Sequence, residues 1–163
     1  MELKTFLSLF TKLKEIPLPG LKSHLLLAPL DIHTDSNNTN YNNINPKRAA
    51  VLIHFYPSYN GQLSLVLIER NKYPGFHSGQ ISFPGGKYED NDKDLFATAL
   101  REANEEVAIQ KSTVEYIRTL SKVFIPPSNF IVTPFLSYGS FRPDLIPDRS
   151  EVSEIIEFPL NYL

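Results

Sequence analysis

The sequence predicts a sandwich of the mixed α/β or α+β class, and three observations predict it. Apolar runs of strand length recur at 48–56, 63–69, 80–83, 113–124 and 130–138. One strongly charged segment with helical periodicity, 94–108, interrupts them. Turn-forming residues stand between the runs: Asn60-Gly61, Pro84-Gly85-Gly86 and Pro126-Pro127. Strands flanking a helix must bury one face of each against the other, which is a layered domain.

The chain has 163 residues, a length that suits one domain with a sizeable core. Hydrophobic residues make up 42% and charged residues 21%, close to globular averages, which argues against wholesale disorder. Lys plus Arg number 16 against 18 Asp plus Glu, so no basic excess exists to bind a phosphate backbone, and nucleic acid is not an expected partner. Cysteine is absent, which excludes disulfides, thiolate metal sites and a cysteine nucleophile. No apolar run has the length of a membrane span, and the first fifteen residues lack the order of a secretory signal. A cytoplasmic location and no membrane partner are therefore expected.

The elements follow in order. Leu3, Phe6, Leu7, Phe10 and Leu13 recur at helical spacing, predicting a helix docked on the core or on a second subunit. Pro17-Leu18-Pro19-Gly20 ends it. Residues 36–45 hold six Asn and read as a surface loop. The expected organisation is thus an N-terminal helix and Asn-rich loop over 1–47, packed on a domain over 48–163. Runs 48–56 and 63–69 form a hairpin through Asn60-Gly61. Residues 80–83 make a short strand running into the Gly85-Gly86 turn. In the helix over 94–108, Leu95, Ala99, Ala103 and Val107 share a face, and Asp90, Asn91 and Asp92 offer capping oxygens before it. Strands near 113–124 and 130–138 follow, and the last residues read as one more strand and the start of a helix.

The chemistry is concentrated in residues 101–106, Arg-Glu-Ala-Asn-Glu-Glu. On a helix, Glu102 neighbours both Glu105 and Glu106, and each like-charge pair costs about 0.2–0.5 kcal/mol. The three also lie toward the helix C-terminus, where the macrodipole disfavours anions. Arg101 is the one compensating charge in the segment. A divalent cation would relieve both penalties, and oxygen ligands select a hard ion such as Mg²⁺, Mn²⁺ or Ca²⁺. Gly85 and Gly86 allow close backbone approach to a metal or phosphate. Glu151 and Glu154 are later carboxylates available as a base. His77, Ser78 and Gln80 are candidate substrate contacts, and Tyr73, Phe76 and Phe83 are aromatics for stacking or for the core.

Residues 86–109, GKYEDNDKDLFATALREANEEVAI, resemble the Nudix box of hydrolases that cleave nucleoside diphosphates linked to another group. Three positions depart from the family pattern. Asp92 stands where a glutamate is expected, one extra residue precedes Arg101, and Ala108 replaces a late glycine. The stretch 77–86, HSGQISFPGG, is similar to the motif that precedes the box in the coenzyme A diphosphatase subgroup, where the same departures occur. The resemblance implies an α/β/α sandwich with a mixed sheet and a loop-helix-loop box. It implies Mg²⁺ or Mn²⁺ held by Glu102, Glu106 and Glu105, with the Gly85 carbonyl a weaker ligand. Glu105, Glu102 and Arg101 are the catalytic set, Arg101 orienting the glutamates. His77, Ser78, Gln80 and Gly86 would bind substrate, and the base would be a box glutamate, Glu151 or Glu154. The implied partner is a small nucleotide, coenzyme A or acyl-coenzyme A, with a homodimer compatible. ADP-ribose, NADH, a nucleoside triphosphate, or a non-catalytic nucleotide-binding module are the alternatives. Such relatives continue past the counterpart of Leu163, so part of a substrate pocket or dimer contact is expected beyond it.

Overall fold

The computed structural model describes residues 3–27, 45–75 and 77–162. Strand β1 (Lys47–Pro57) is the spine of a mixed sheet. Strand β7 (Phe130–Tyr138) runs parallel to it from Lys47↔Phe130 to Phe55↔Tyr138. Along the other edge β1 meets two partners in turn. Its end pairs antiparallel with β2 (Leu63–Arg70) at Phe55↔Leu65, and its start with β4 (Gly85–Lys87) at Ala49↔Lys87. Strand β3 (Ile81–Ser82) lies on the far end of β2. The segment 81–87 thus follows the β1–β2 pairing along both strands, first on β2 and then on β1. Strands β5 (Glu115–Thr119) and β6 (Val123–Ile125) both pair antiparallel with β7, and β8 (Val152–Pro159) covers the outer edge of β2.

The β1–β2 hairpin forms with a Ser58–Gln62 loop, closed by a Ser58 N–H to Gln62 carbonyl bond of 2.8 Å, and Gly61 takes φ +75°. Strand alternation then divides β1 between two cores. Ala50, Leu52 and Tyr56 meet the helix α4 (Leu95–Val107) through Ala99, Leu100, Ala103 and Val107. Phe55, Leu63, Leu65 and Leu136 face the opposite side, where Phe6 of α1 (Leu3–Ser8) is buried among them. Helices therefore cover both faces of the sheet.

Several expectations change. The N-terminal periodicity does not make one helix: Leu9 interrupts it, giving α1 and α2 (Phe10–Glu15), and α3 (Leu21–Leu27) follows Gly20. Leu3, Leu7 and Leu13 pack against the cluster that contains Phe6 and Phe55, whose ring centroids are 5.1 Å apart. The Asn-rich tract lies outside the described residues except for Asn45. The run 113–124 is two strands: β5 pairs with the second half of β7, with a register shift at Tyr116/Arg118 inside it, and β6 pairs with the first half. Gly85-Gly86 is not a simple turn but belongs to β4. The cap of α4 is Asp94, whose side chain accepts from Ala97 N–H at 2.8 Å, and Asp92 is engaged elsewhere.

Candidate active site

Helix α4 presents its acidic residues toward β4 and the end of β2. Glu106 is the deepest, only 2% exposed. Its Oε2 accepts from Gly85 N–H at 2.8 Å and its Oε1 from Arg70 Nη1 at 3.2 Å. Burial pushes its pKa up to about 7, against the opposing pull of the Gly85 amide and Arg70. Glu102, one turn earlier, is also raised by burial, with Arg101 opposing. The charge of Glu151 adds to the upward shift of both.

The two glycines are dictated by this geometry. A Cβ built on Gly86 would stand 2.5 Å from both the carboxyl carbon and Oε1 of Glu102. A Cβ on Gly85, which has φ +154°, would run into the Ala50 carbonyl oxygen and lie 2.6 Å from Val51 Cα. β4 can therefore pair with β1 and still leave room for the Glu102 carboxylate only as Gly-Gly.

Arg101 is the hub beside these carboxylates. Its Nη1 donates to Glu102 Oε1 at 3.0 Å and to Glu105 Oε2 at 2.9 Å. Its Nε and Nη2 fork onto Asp92 at 3.0 Å each, and Nη2 also reaches the Lys87 carbonyl at 3.1 Å. Asp92 further accepts from Thr98 Oγ1 at 2.9 Å and Glu89 N–H at 3.0 Å, and Arg101 holds its carboxyl well below the usual range. The residue expected to cap the helix thus anchors the arginine instead. Ala108 takes the left-handed conformation, φ 62°, at the C-terminus of α4, a conformation that favours glycine.

The structure sorts the remaining candidates. Both ring nitrogens of His77 are committed, Nδ1 with Gln80 Oε1 and Nε2 with Ser128 Oγ, each at 2.9 Å. His77 is a strut between the 71–80 loop and the 126–129 turn. Ser78 Oγ accepts from Tyr73 N–H at 2.9 Å and supports the same loop. His77, Gln80, Tyr73, Phe83 and Gly86 line one cavity of about 620 Å³ with Arg70 and Gly85, while Phe76 lies outside the described residues. Of the two later carboxylates, Glu151 sits in the loop before β8, near enough to act on Glu102 and Glu106. Glu154, on β8, pairs in register with Glu69 of β2.

Arg70 is the functional residue that sequence reading missed. Arg101 is not the sole compensating charge: Arg70 ends β2 and meets the buried Glu106 across the sheet. A buried carboxylate demands a partner, and that demand was the available signal. Among the described residues, no group of three or more His, Cys, Asp or Glu side chains is arranged to hold a metal ion. The arginines divide the carboxylates between them: Arg70 takes Glu106, and Arg101 takes Glu102 and Glu105. The chemistry of the set still fits a hard divalent ion. Glu102 and Glu106 lie one helical turn apart, and burial raises the pKa of both against the pull of Arg101 and Arg70.

Comparison with known proteins identifies the fold and the family. The family model described as NUDIX domain matches residues 46–163. The chain is 38% identical over 119 residues to Nudix hydrolase 15, mitochondrial, of Arabidopsis thaliana, covering 71% of this chain and 41% of that protein. It is 43% identical over 124 residues to the uncharacterized Nudix hydrolase NudL of Escherichia coli, covering 74% of this chain and 62% of that one. The chain thus spans less than two thirds of either relative. Among solved structures, RenU, a Nudix hydrolase from M. smegmatis, matches with a TM-score of 0.59 at 18% identity, covering 72% of this chain and 73% of that one. The NUDIX domain of Shewanella oneidensis NrtR, complexed with ADP ribose, matches with a TM-score of 0.57 at 18% identity over 82% and 86% of the two chains. These structural likenesses establish the fold, and the family match coincides with the carboxylate helix and its glycine strand: the chain belongs to the NUDIX domain family.

Proposed function

We propose that this protein hydrolyses the diphosphate of a nucleotide-type substrate with the aid of a divalent metal, and that the substrate is coenzyme A or acyl-coenzyme A. The observation that carries the reading is the junction at Gly85-Gly86. There the floor of the 620 Å³ cavity abuts the buried pair Glu102 and Glu106. The choice of coenzyme A rests on the 77–86 motif, which builds one wall of that cavity.

Glu102 and Glu106, with Glu105, would hold Mg²⁺ or Mn²⁺, with the Gly85 carbonyl as a weaker candidate ligand. Such an ion, when bound, offsets diphosphate charge and lowers the pKa of a bound water. The protein's own groups do the rest. Arg101, locked by Asp92, positions Glu102 and Glu105. Arg70 brings a guanidinium from the cavity to Glu106 and is placed to meet a phosphate oxygen. Glu151 is the stronger candidate base among the later carboxylates, since its charge is felt at both Glu102 and Glu106. Water oxygen forms a new bond to phosphorus, the bridging P–O bond breaks, and the proton passes to the base. The products are 3′-phosphoadenosine 5′-phosphate and 4′-phosphopantetheine, with any thioester intact.

The test is incubation of purified protein with coenzyme A and Mg²⁺ in ¹⁸O-water, with mass detection of both halves. Label in one phosphorylated half is expected. Inorganic phosphate or free acid as the main product would overturn the reading. A panel with ADP-ribose, NADH and nucleoside triphosphates separates the substrate choice from the chemistry.

A further inference from the structure

Glu151 is exposed, so no packing directs its side chain, and where its carboxylate can reach is decided by where its backbone is held. That backbone belongs to a turn with its own internal bonds. Glu151 N–H and Val152 N–H both donate to the Asp148 carbonyl, at 3.1 and 2.8 Å, and Asp148 Oδ1 accepts from Ser150 N–H at 2.8 Å. Two outside anchors then place the turn. Asp148 N–H donates to the carbonyl of Glu106 at 3.0 Å, so the turn hangs from the residue whose carboxylate is the deepest in the site. The second anchor is Asn71, the residue after Arg70. Its N–H donates to the Glu151 carbonyl and its Nδ2 to the Arg149 carbonyl, each at 2.8 Å. Its own carbonyl accepts from Gly79 N–H at 3.4 Å, which ties the 71–80 loop to the same point. Position 71 must therefore supply a donor from its side chain as well as one from its backbone. Asn does so, whereas Asp would turn an acceptor toward the Arg149 carbonyl and Ala would offer nothing. The charge of Glu151, held in this way, is felt at Arg70, Glu102 and Glu106 alike.

We infer that Asn71 is a positioning residue for hydrolysis: its two donors hold the 148–151 turn to the end of β2 and so keep Glu151 within reach of the Glu102–Glu106 site. Asn71 itself touches no reacting atom. It acts through Glu151, because a base displaced by about 1 Å from the proton it must take can cost about 100-fold in rate. The inference rests on Glu151 as the base in the proposed diphosphate chemistry.

The test is a double-mutant cycle with Asn71→Ala and Glu151→Gln, run on whichever diphosphate of the substrate panel the wild type cleaves. Asn71→Ala should lower kcat by about tenfold or more and leave KM within about twofold, and the nearly isosteric Asn71→Asp should do the same. Glu151→Gln should lower kcat by about 100-fold or more, the scale of a general base. In the Glu151→Gln background the further loss from Asn71→Ala should shrink to about twofold, since the group that Asn71 positions is no longer there. A loss of equal size in both backgrounds marks a merely structural role and overturns the inference. Full activity in Asn71→Ala, or in Glu151→Gln, overturns it as well, and in the latter case a continued requirement for Glu102 leaves the diphosphate chemistry standing. Melting curves establish that each variant is folded. Native-state hydrogen exchange supplies a readout that needs no turnover: the amides of Asp148, Glu151 and Val152 should exchange about threefold or more faster in Asn71→Ala than in the wild type, with α4 unchanged. If the wild type cleaves nothing in the panel, the functional proposal falls by itself. Exchange then decides whether Asn71 holds the turn, and unchanged protection at these three amides overturns that.

Discussion

Glu106 has water on almost none of its surface, yet two donors keep it in place, so its carboxylate can be changed with little loss of packing. Glu106→Gln is expected to lower diphosphatase activity by about 100-fold or more, since even groups that merely support metal ligands are worth about 10–100-fold. Circular dichroism should show a native fold, and near-normal turnover in a folded variant would remove Glu106 from the site. His54 poses a different question at the same scale. It lies on β1 at 1% exposure, its Nδ1 3.0 Å from Ser137 Oγ, and burial lowers its pKa from 6.5 to about 4. The folded state therefore binds fewer protons than the unfolded state between those values. Its contribution to stability is complete above pH 6.5 and is lost as pH falls toward 4, by an amount on the order of 3 kcal/mol. Denaturant melts at pH 7.5 and 5 should show the loss, and His54→Gln should flatten it. An unchanged slope in that variant would mean that another group titrates.

The helix α4 carries its own test. Ala108 adopts φ 62° to let its N–H reach Asn104 O at 2.9 Å and Ile109 N–H reach Ala103 O at 3.2 Å. An L-residue pays roughly 1–2 kcal/mol for that conformation. Ala108→Gly should recover about 1 kcal/mol in urea melts, partly offset by glycine's greater unfolded-state entropy. A clear destabilisation would show that the methyl group packs usefully. In β4 the same reasoning runs in reverse. Gly86→Ala must push the Glu102 carboxylate out of its cradle, so activity should fall far more than stability does. Comparison of kcat/KM with the melting temperature separates the two effects.

At the scale of the whole molecule, the carboxylates of one helix, the glycines of one strand and the arginine of another meet at one place. A divalent ion that binds there only in the folded state must raise the melting temperature. At a hundred times Kd the gain is about 2.7 kcal/mol. Scanning calorimetry with Mn²⁺ or Mg²⁺ against EDTA should detect it, and Glu102→Gln should diminish it. Melting indifferent to millimolar metal would count against the site.

Much of this was legible in the chain itself. Periodicity identifies α4 and the β1–β2 hairpin, because local spacing and turn chemistry determine both. The crowding of Glu102, Glu105 and Glu106 is likewise a helical property, legible before any fold is known. Other features exist only across the sheet. Arg70 is 36 residues from Glu106 and meets it because segment 81–87 follows on from the β1–β2 pairing along both strands. Asp92 reads locally as a cap, but the fork of Arg101 claims it. His77 reads as a candidate substrate contact, and only the fold shows that Ser128, from a distant turn, meets its second nitrogen. Helical and turn preferences act over a few neighbouring residues, so sequence alone determined the helix, the hairpin and the acidic cluster. The partners of buried charges are chosen by whichever strand arrives beside them, and that was decided by the tertiary structure alone.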